Sequence, residues 1–163
     1  MLSRSPVDSV ARAYMATTAA LGFVPLRHEG KLTGLAAFGQ PVLADRIAAR
    51  FSVDDVGRVH SDFSDYDEME RFIGDLVAGV SREDASASIQ KVLEDTMLVS
   101  LSRLLDRHRA RNLGLAGGIF ANVRLNRMLA EKLPIEEIFI FPAMGDDGMP
   151  AGARFATCCS ATA

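Results

Sequence analysis

The chain has 163 residues, a length suited to about one domain. With 48% hydrophobic and 24% charged residues it has the composition of a globular protein, which excludes a disordered one. A formal net charge of −3 and dispersed basic residues exclude the electrostatic footprint of a nucleic-acid binder.

The first residues, 1–6, contain no apolar signal core, and no apolar run approaches the length of a membrane span. A cytoplasmic protein with no membrane partner is therefore expected. Residues 7–21 predict a helix with Val7, Val10, Ala11, Tyr14 and Met15 on one face, ended by Gly22 with Pro25 close behind. The small residues and glycines of 30–39 suggest tight backbone approach, and a short helix is expected over 41–50. Residues 51–64 read as irregular, with a short strand at 58–60. A second amphipathic helix covers 66–80 through Met69, Phe72, Ile73, Leu76 and Val77.

Ser81 reads as an N-cap, with Glu83 and Asp84 where the helix dipole favours acids. No Pro or Gly interrupts the helix that follows before Gly114, so it is expected to run to Arg111, roughly 45 Å. Within it the densest basic run, 103–111, is broken by Leu104, Leu105 and Asp106 and reads as a solvated face. The pattern then changes to a strand at 112–115, a Gly117-Gly118 turn, a helix over 122–133 stopped by Pro134, and a strand at 138–141. A last helix is expected over 150–156, with Pro150 in its first turn. Cys158 and Cys159 are adjacent and suggest neither a disulfide framework nor a zinc site. This order, helices and then βαβα, implies two parallel strands joined by a crossover helix.

Two loops carry the chemistry. A strand ending in Gly117-Gly118 before a helix lets backbone N–H groups approach a nucleotide closely, with Asn122 expected one turn into that helix. A tight turn without any ligand explains the glycine pair as well. The second loop, Met144-Gly145-Asp146-Asp147-Gly148, follows the second strand and offers carboxylates suited to a hard metal; an N-cap is the bland reading. Both loops would lie at the C-terminal ends of parallel strands, where ligands gather.

Together with Glu29-Gly30-Lys31-Leu32-Thr33-Gly34-Leu35-Ala36-Ala37-Phe38-Gly39, these loops resemble three ordered motifs of the O-carbamoyltransferases known from nodulation-factor and antibiotic biosynthesis. The resemblance implies a helix-rich α/β fold: part of an actin/sugar-kinase-like ATPase lobe, with a small parallel sheet and a long central helix. It implies one partial domain over residues 1–163, most of the second lobe. The activity implied is transfer of a carbamoyl group from carbamoyl phosphate, with ATP and through a carbamoyl-adenylate, to a hydroxyl of a sugar or antibiotic. By the same match, Gly117, Gly118 and Asn122 would hold the nucleotide, Glu29 and Lys31 would face its ribose or phosphates, and Asp146 would ligate a divalent metal, iron or magnesium.

The departures are specific. The family's metal site also uses two histidines four residues apart, whereas His28, His60 and His108 are widely separated and read as surface or partly buried residues. Ala116 stands where the family has Ser, and Pro150 where it has a helix-forming residue. The expectation is thus the nucleotide and metal half of a carbamoyltransferase. The alternative is a catalytically incomplete paralogue that binds a nucleotide or a partner. The related tRNA-modifying proteins fit less well, since nothing basic marks an RNA surface. Exposed apolar helices or sheet edges would favour a homo-oligomer.

Overall fold

In the computed structural model the described residues are 7–142, and the chain divides after Arg109 into two compact units. The first contains α1 (Val10–Ala20), α2 (Glu29–Leu35), α3 (Ala44–Ala48), β1 (Phe51–Val53), β2 (Val59–Ser61), α4 (Tyr66–Val77) and α5 (Arg82–His108). The second contains β3 (Asn112–Leu115), a 3-10 turn (Gly118–Ala121), α6 (Val123–Lys132) and β4 (Glu137–Ile140). Among the described residues no helix is long and apolar enough to cross a membrane.

The long helix α5 starts at its expected cap: Ser81 Oγ accepts the Asp84 N–H at 3.0 Å, with Glu83 and Asp84 in the first turn. Residues 85–90 are all buried, so these turns of α5 are enclosed on every side and not along one stripe. Ala85, Ser86, Ala87 and Ser88 are small enough to let α1, α2 and α3 pack against it. Its polar atoms find partners across those contacts. Ser88 Oγ accepts the Leu43 N–H at 3.0 Å and donates to the Asp84 carbonyl at 2.7 Å. The Tyr14 hydroxyl of α1 donates to Gln90 Oε1 at 3.0 Å and lies 3.1 Å from Thr33 Oγ1 of α2. The helix ends at His108, three residues short of the expected Arg111, because Arg109 takes a left-handed conformation (φ 48°) that cannot continue it.

The stretch read as irregular contains a hairpin. β1 pairs antiparallel with β2, with Ser52 opposite His60. Only β2 matches the expected strand; β1 escaped notice because Phe51-Ser52-Val53 is too short for alternation to register. Asp54 makes the turn by accepting the N–H groups of Val56 (3.1 Å) and Arg58 (2.7 Å). Its carboxyl is held below the usual range, first by its hydrogen bond to His60 Nε2. Gly57 (φ 82°) then lies against α5, where Ser100 Oγ donates to its carbonyl at 2.6 Å.

Arg50 ties this hairpin to α4. Its guanidinium stacks on Phe63 and Phe72, 4.1 and 4.9 Å from the ring centroids, and pairs with Asp62 and with Glu68. Glu68 also accepts the Ser64 N–H at 2.7 Å and hydroxyl at 2.8 Å. The Ser64 N–H, then Arg50 and the Ser64 hydroxyl, pull the Glu68 carboxyl from 4.5 to about 2.

In the second unit β3 and β4 are parallel, with Asn112 opposite Glu137 and Leu115 opposite Ile140. The crossover helix α6 buries Leu125 and Leu129. The expected helix-rich α/β class, the long helix and the small parallel sheet are therefore present. The last helix of the expected βαβα lies outside the described residues.

A lowered carboxylate stabilises the fold fully above its unfolded value and ceases to as pH falls through the folded one. For Glu68 that window runs from 4.5 down to about 2. Urea unfolding is expected to show stability declining across it, and Glu68→Gln is expected to flatten the decline. An unchanged slope in Glu68→Gln would rule out this carboxylate as its source.

Candidate functional site

The first candidate segment surrounds α2. Its entry is a closed set of local hydrogen bonds: His28 Nδ1 accepts the Val24 N–H at 3.1 Å, and Glu29 Oε1 accepts the Leu26 N–H at 2.6 Å. Leu26 is left-handed (φ 65°), an uncommon conformation for a bulky residue that the Glu29 carboxylate holds in place. The Glu29 side chain thus fastens the turn before α2. Lys31 is exposed, its Nζ 5.4 Å from the centre of the Phe23 ring.

The glycines of this segment differ from the expected tight approach. Gly30 and Gly34 lie in α2, and a Cβ on either would meet nothing within 4 Å. Gly39 alone matches the expectation: a Cβ there would fall 2.1 Å from the Glu83 carbonyl oxygen. Beside it the Gln40 N–H donates to Asp84 Oδ1 at 2.7 Å. This glycine therefore seats the chain on the first turn of α5. Gly39→Ala is expected to cost about 3 kcal/mol in urea unfolding, through backbone overpacking. Gly34→Ala is expected to gain about 0.5 kcal/mol by relieving glycine's entropy cost in a helix. Equal effects at both sites would refute the distinction.

The second candidate segment opens at the C-terminal end of β3. Gly117 has φ 109° and ψ 161°, a conformation reserved for glycine. The chain then enters the 3-10 turn, closed by the Phe120 N–H on the Gly117 carbonyl at 3.0 Å. Gly117 and Gly118 are exposed, and a Cβ on Gly117 would meet nothing within 4 Å. Their backbone is open to an approaching ligand, and the first N–H groups of such a turn have no partner within it.

Asn122 is not one turn into the helix, as expected, but its N-cap. The intervening residues form the 3-10 turn, and Asn122 Oδ1 accepts the Leu125 N–H at 3.0 Å. Its carbonyl oxygen serves the helix end, the ordinary use of Asn before a helix. Sequence reasoning overlooked Asn126, whose buried Nδ2 donates to the Phe120 carbonyl at 2.7 Å and pins the turn to α6. Its Oδ1 is buried without a hydrogen-bond partner. The available signal was a polar residue wedged between Leu125 and Leu129 on the apolar side of the helix.

Glu29 and Lys31 belong to the first unit; Gly117, Gly118 and Asn122 belong to the second. Asp146 lies outside the described residues. Among the described residues no group of three His, Cys, Asp or Glu side chains is arranged to hold a metal. His60 faces Asp54 and Asp8, and His108 is exposed at the end of α5.

A parallel β-α-β unit with a glycine turn after its first strand places the second unit among the α/β proteins. Comparison narrows this class: a family model described as Carbamoyltransferase N-terminus matches residues 2–155, and the chain belongs to that family. An uncharacterized protein of Methanocaldococcus jannaschii is 33% identical, the match covering 89% of this chain and 25% of the relative. An uncharacterized protein of Synechocystis sp. is 30% identical, covering 89% and 26%. The nodulation protein NolNO of Sinorhizobium fredii is 29% identical, covering 90% and 22%. The chain thus spans about a quarter of the length of these relatives.

Gly117→Ala is expected to cost about 1–3 kcal/mol through its conformation alone, since the space beside it is open. Asn122→Ala is expected to cost about 1 kcal/mol as a lost cap. Thermal unfolding of the two variants checks both; a neutral Gly117→Ala would refute the strained turn.

Proposed function

We propose that this chain is the nucleotide-handling part of an ATP- and carbamoyl-phosphate-dependent O-carbamoyltransferase acting on a hydroxyl of a small molecule such as a sugar or antibiotic. The observation that carries this reading is the open Gly117-Gly118 turn at the end of a parallel strand, in a member of the carbamoyltransferase family. The similarity to a nodulation protein agrees with the resemblance to carbamoyltransferases of nodulation-factor biosynthesis. On this reading the two units are part of an actin-like ATPase lobe.

ATP is a substrate in the proposed reaction: water cleaves carbamoyl phosphate to carbamate and inorganic phosphate, a carbamate oxygen attacks the α-phosphorus of ATP, and pyrophosphate leaves, so that the carbamoyl group is activated as carbamoyl-adenylate. This chain's residues bind and orient. Backbone N–H groups of the glycine turn donate to ribose or phosphate oxygens, and they stabilise negative charge as it develops on those oxygens. The Asn122 cap and the Asn126 amide fasten the turn to α6 and so fix the backbone of the glycines before it. The acceptor hydroxyl attacks the carbamoyl carbon of the adenylate, the bond from that carbon to the AMP phosphate oxygen breaks, AMP leaves, and the hydroxyl proton passes to water or to the departing phosphate. Asp146 would hold a divalent metal, magnesium or iron, whose charge offsets that of the phosphates; the described residues do not supply its further ligands.

Titration of ATP with magnesium or ferrous ion against the chain tests this. Binding strengthened by metal, with that dependence lost in Asp146→Ala, is the expected result. Metal-dependent binding that survives Asp146→Ala unchanged would remove the metal assignment, and no binding at saturating ATP would remove the nucleotide reading.

A further inference from the structure

Phe23 carries two cations drawn from distant parts of the chain. Lys31 of α2 places Nζ 5.4 Å from the ring centre, and Arg82, the first residue of α5, places Cζ at 5.2 Å. The ring itself is held edge-on to His28, with centroids 6.2 Å apart, and His28 is in turn fixed by the Val24 N–H. Gly22 (φ 77°) leaves room beside the guanidinium, whose Nη2 would lie 3.6 Å from a Cβ at that position.

Two cations held against one ring at the surface add their positive potential there, weakened by solvent. Among the described residues neither Lys31 nor Arg82 forms an ion pair. Two nearby carboxylates are engaged with backbone donors, Glu29 with Leu26 and Asp84 with Gln40. The aromatic ring offsets part of the repulsion between the two cations and removes water from one side of each. An anion of two or more charges completes the arrangement. A guanidinium and an ammonium both donate to tetrahedral oxyanions, and both strengthen such bonds by charge.

We propose that Lys31 and Arg82, gathered on Phe23, form a binding point for the phosphate group of a small-molecule substrate. Arg82 is the member that no motif indicated. The identity of the phosphate, that of ATP or of carbamoyl phosphate, rests on the carbamoyl-transfer reading; the convergence of the cations does not.

The test is calorimetric titration of inorganic phosphate, carbamoyl phosphate and ATP, at low and high salt, against the chain and its Arg82→Gln, Lys31→Gln and Phe23→Leu variants. Arg71→Gln on α4 serves as a control with the same change of net charge. About tenfold weakening is expected for each lost cation, as for the loss of one charge-assisted hydrogen bond. A smaller loss is expected for Phe23→Leu, which keeps both charges, and Arg71→Gln is expected to bind normally. Arg82→Lys is expected to fold and to retain part of the affinity, which separates a lost ligand contact from lost structure. Whichever phosphate compound shows the Arg82 dependence identifies the source. An Arg82→Gln variant that binds all three like Arg71→Gln would overturn the proposal. If ATP binding fell in Gly117→Ala but not in Arg82→Gln, this site would fail while the nucleotide reading stood. Arg82-dependent binding of phosphate or carbamoyl phosphate without ATP binding would support the site and remove the nucleotide reading.

Discussion

The enclosure of residues 85–90 is the constraint on which the first unit is built. A helix usually buries one face and solvates the other. Here residues 85–90 have no solvated face, so every neighbour must meet them closely and their polar atoms must find partners inside. Small side chains satisfy the first condition and the bonds of Ser88 and Gln90 the second, while Ser86 Oγ stays buried without a partner. Because α2 and the Gly39 loop both rest on this part of α5, the placement of Lys31 relative to Arg82 is inherited from core packing. The two cations of the proposed phosphate point are positioned by a buried packing contact.

Much of the fold was legible because its signals are local. Ser81, Glu83 and Asp84 announce the start of α5, and the change from helical to strand periodicity at Asn112 marks β3 to the residue. The parallel pairing followed from a strand, a helix and a strand in order. What escaped depends on contacts that no local pattern encodes. The end of α5 is set by the backbone of Arg109, not by a breaker residue. The first hairpin strand has three residues and is held by Arg103, which donates to the Val53 carbonyl from α5. Enclosure of α5 itself was hidden, since Ala and Ser at 85–88 read as a weak stripe when neighbours are unknown.

The candidate residues show the same division. The glycine turn was legible as a turn, and its conformation bears out the need for glycine at Gly117. The roles of individual side chains were less so. Asn122 and Glu29 both belong to ligand-like motifs, yet each uses a side-chain oxygen to satisfy a backbone N–H. A motif residue can therefore serve a ligand indirectly, by holding the backbone that meets it. Arg82 was invisible for the opposite reason: it sits in no motif and matters only because folding brings it to Phe23.

The hydrogen bond between Tyr14 and Gln90 joins residues 76 positions apart. During synthesis the first helix therefore leaves the ribosome long before the surface that buries it exists. At the usual pace of translation that interval is about 4 to 15 s. Through it, the Tyr14 hydroxyl is without its partner on α5, and of its helical neighbours α1 has at most α2 and α4 to pack against until residue 90 arrives.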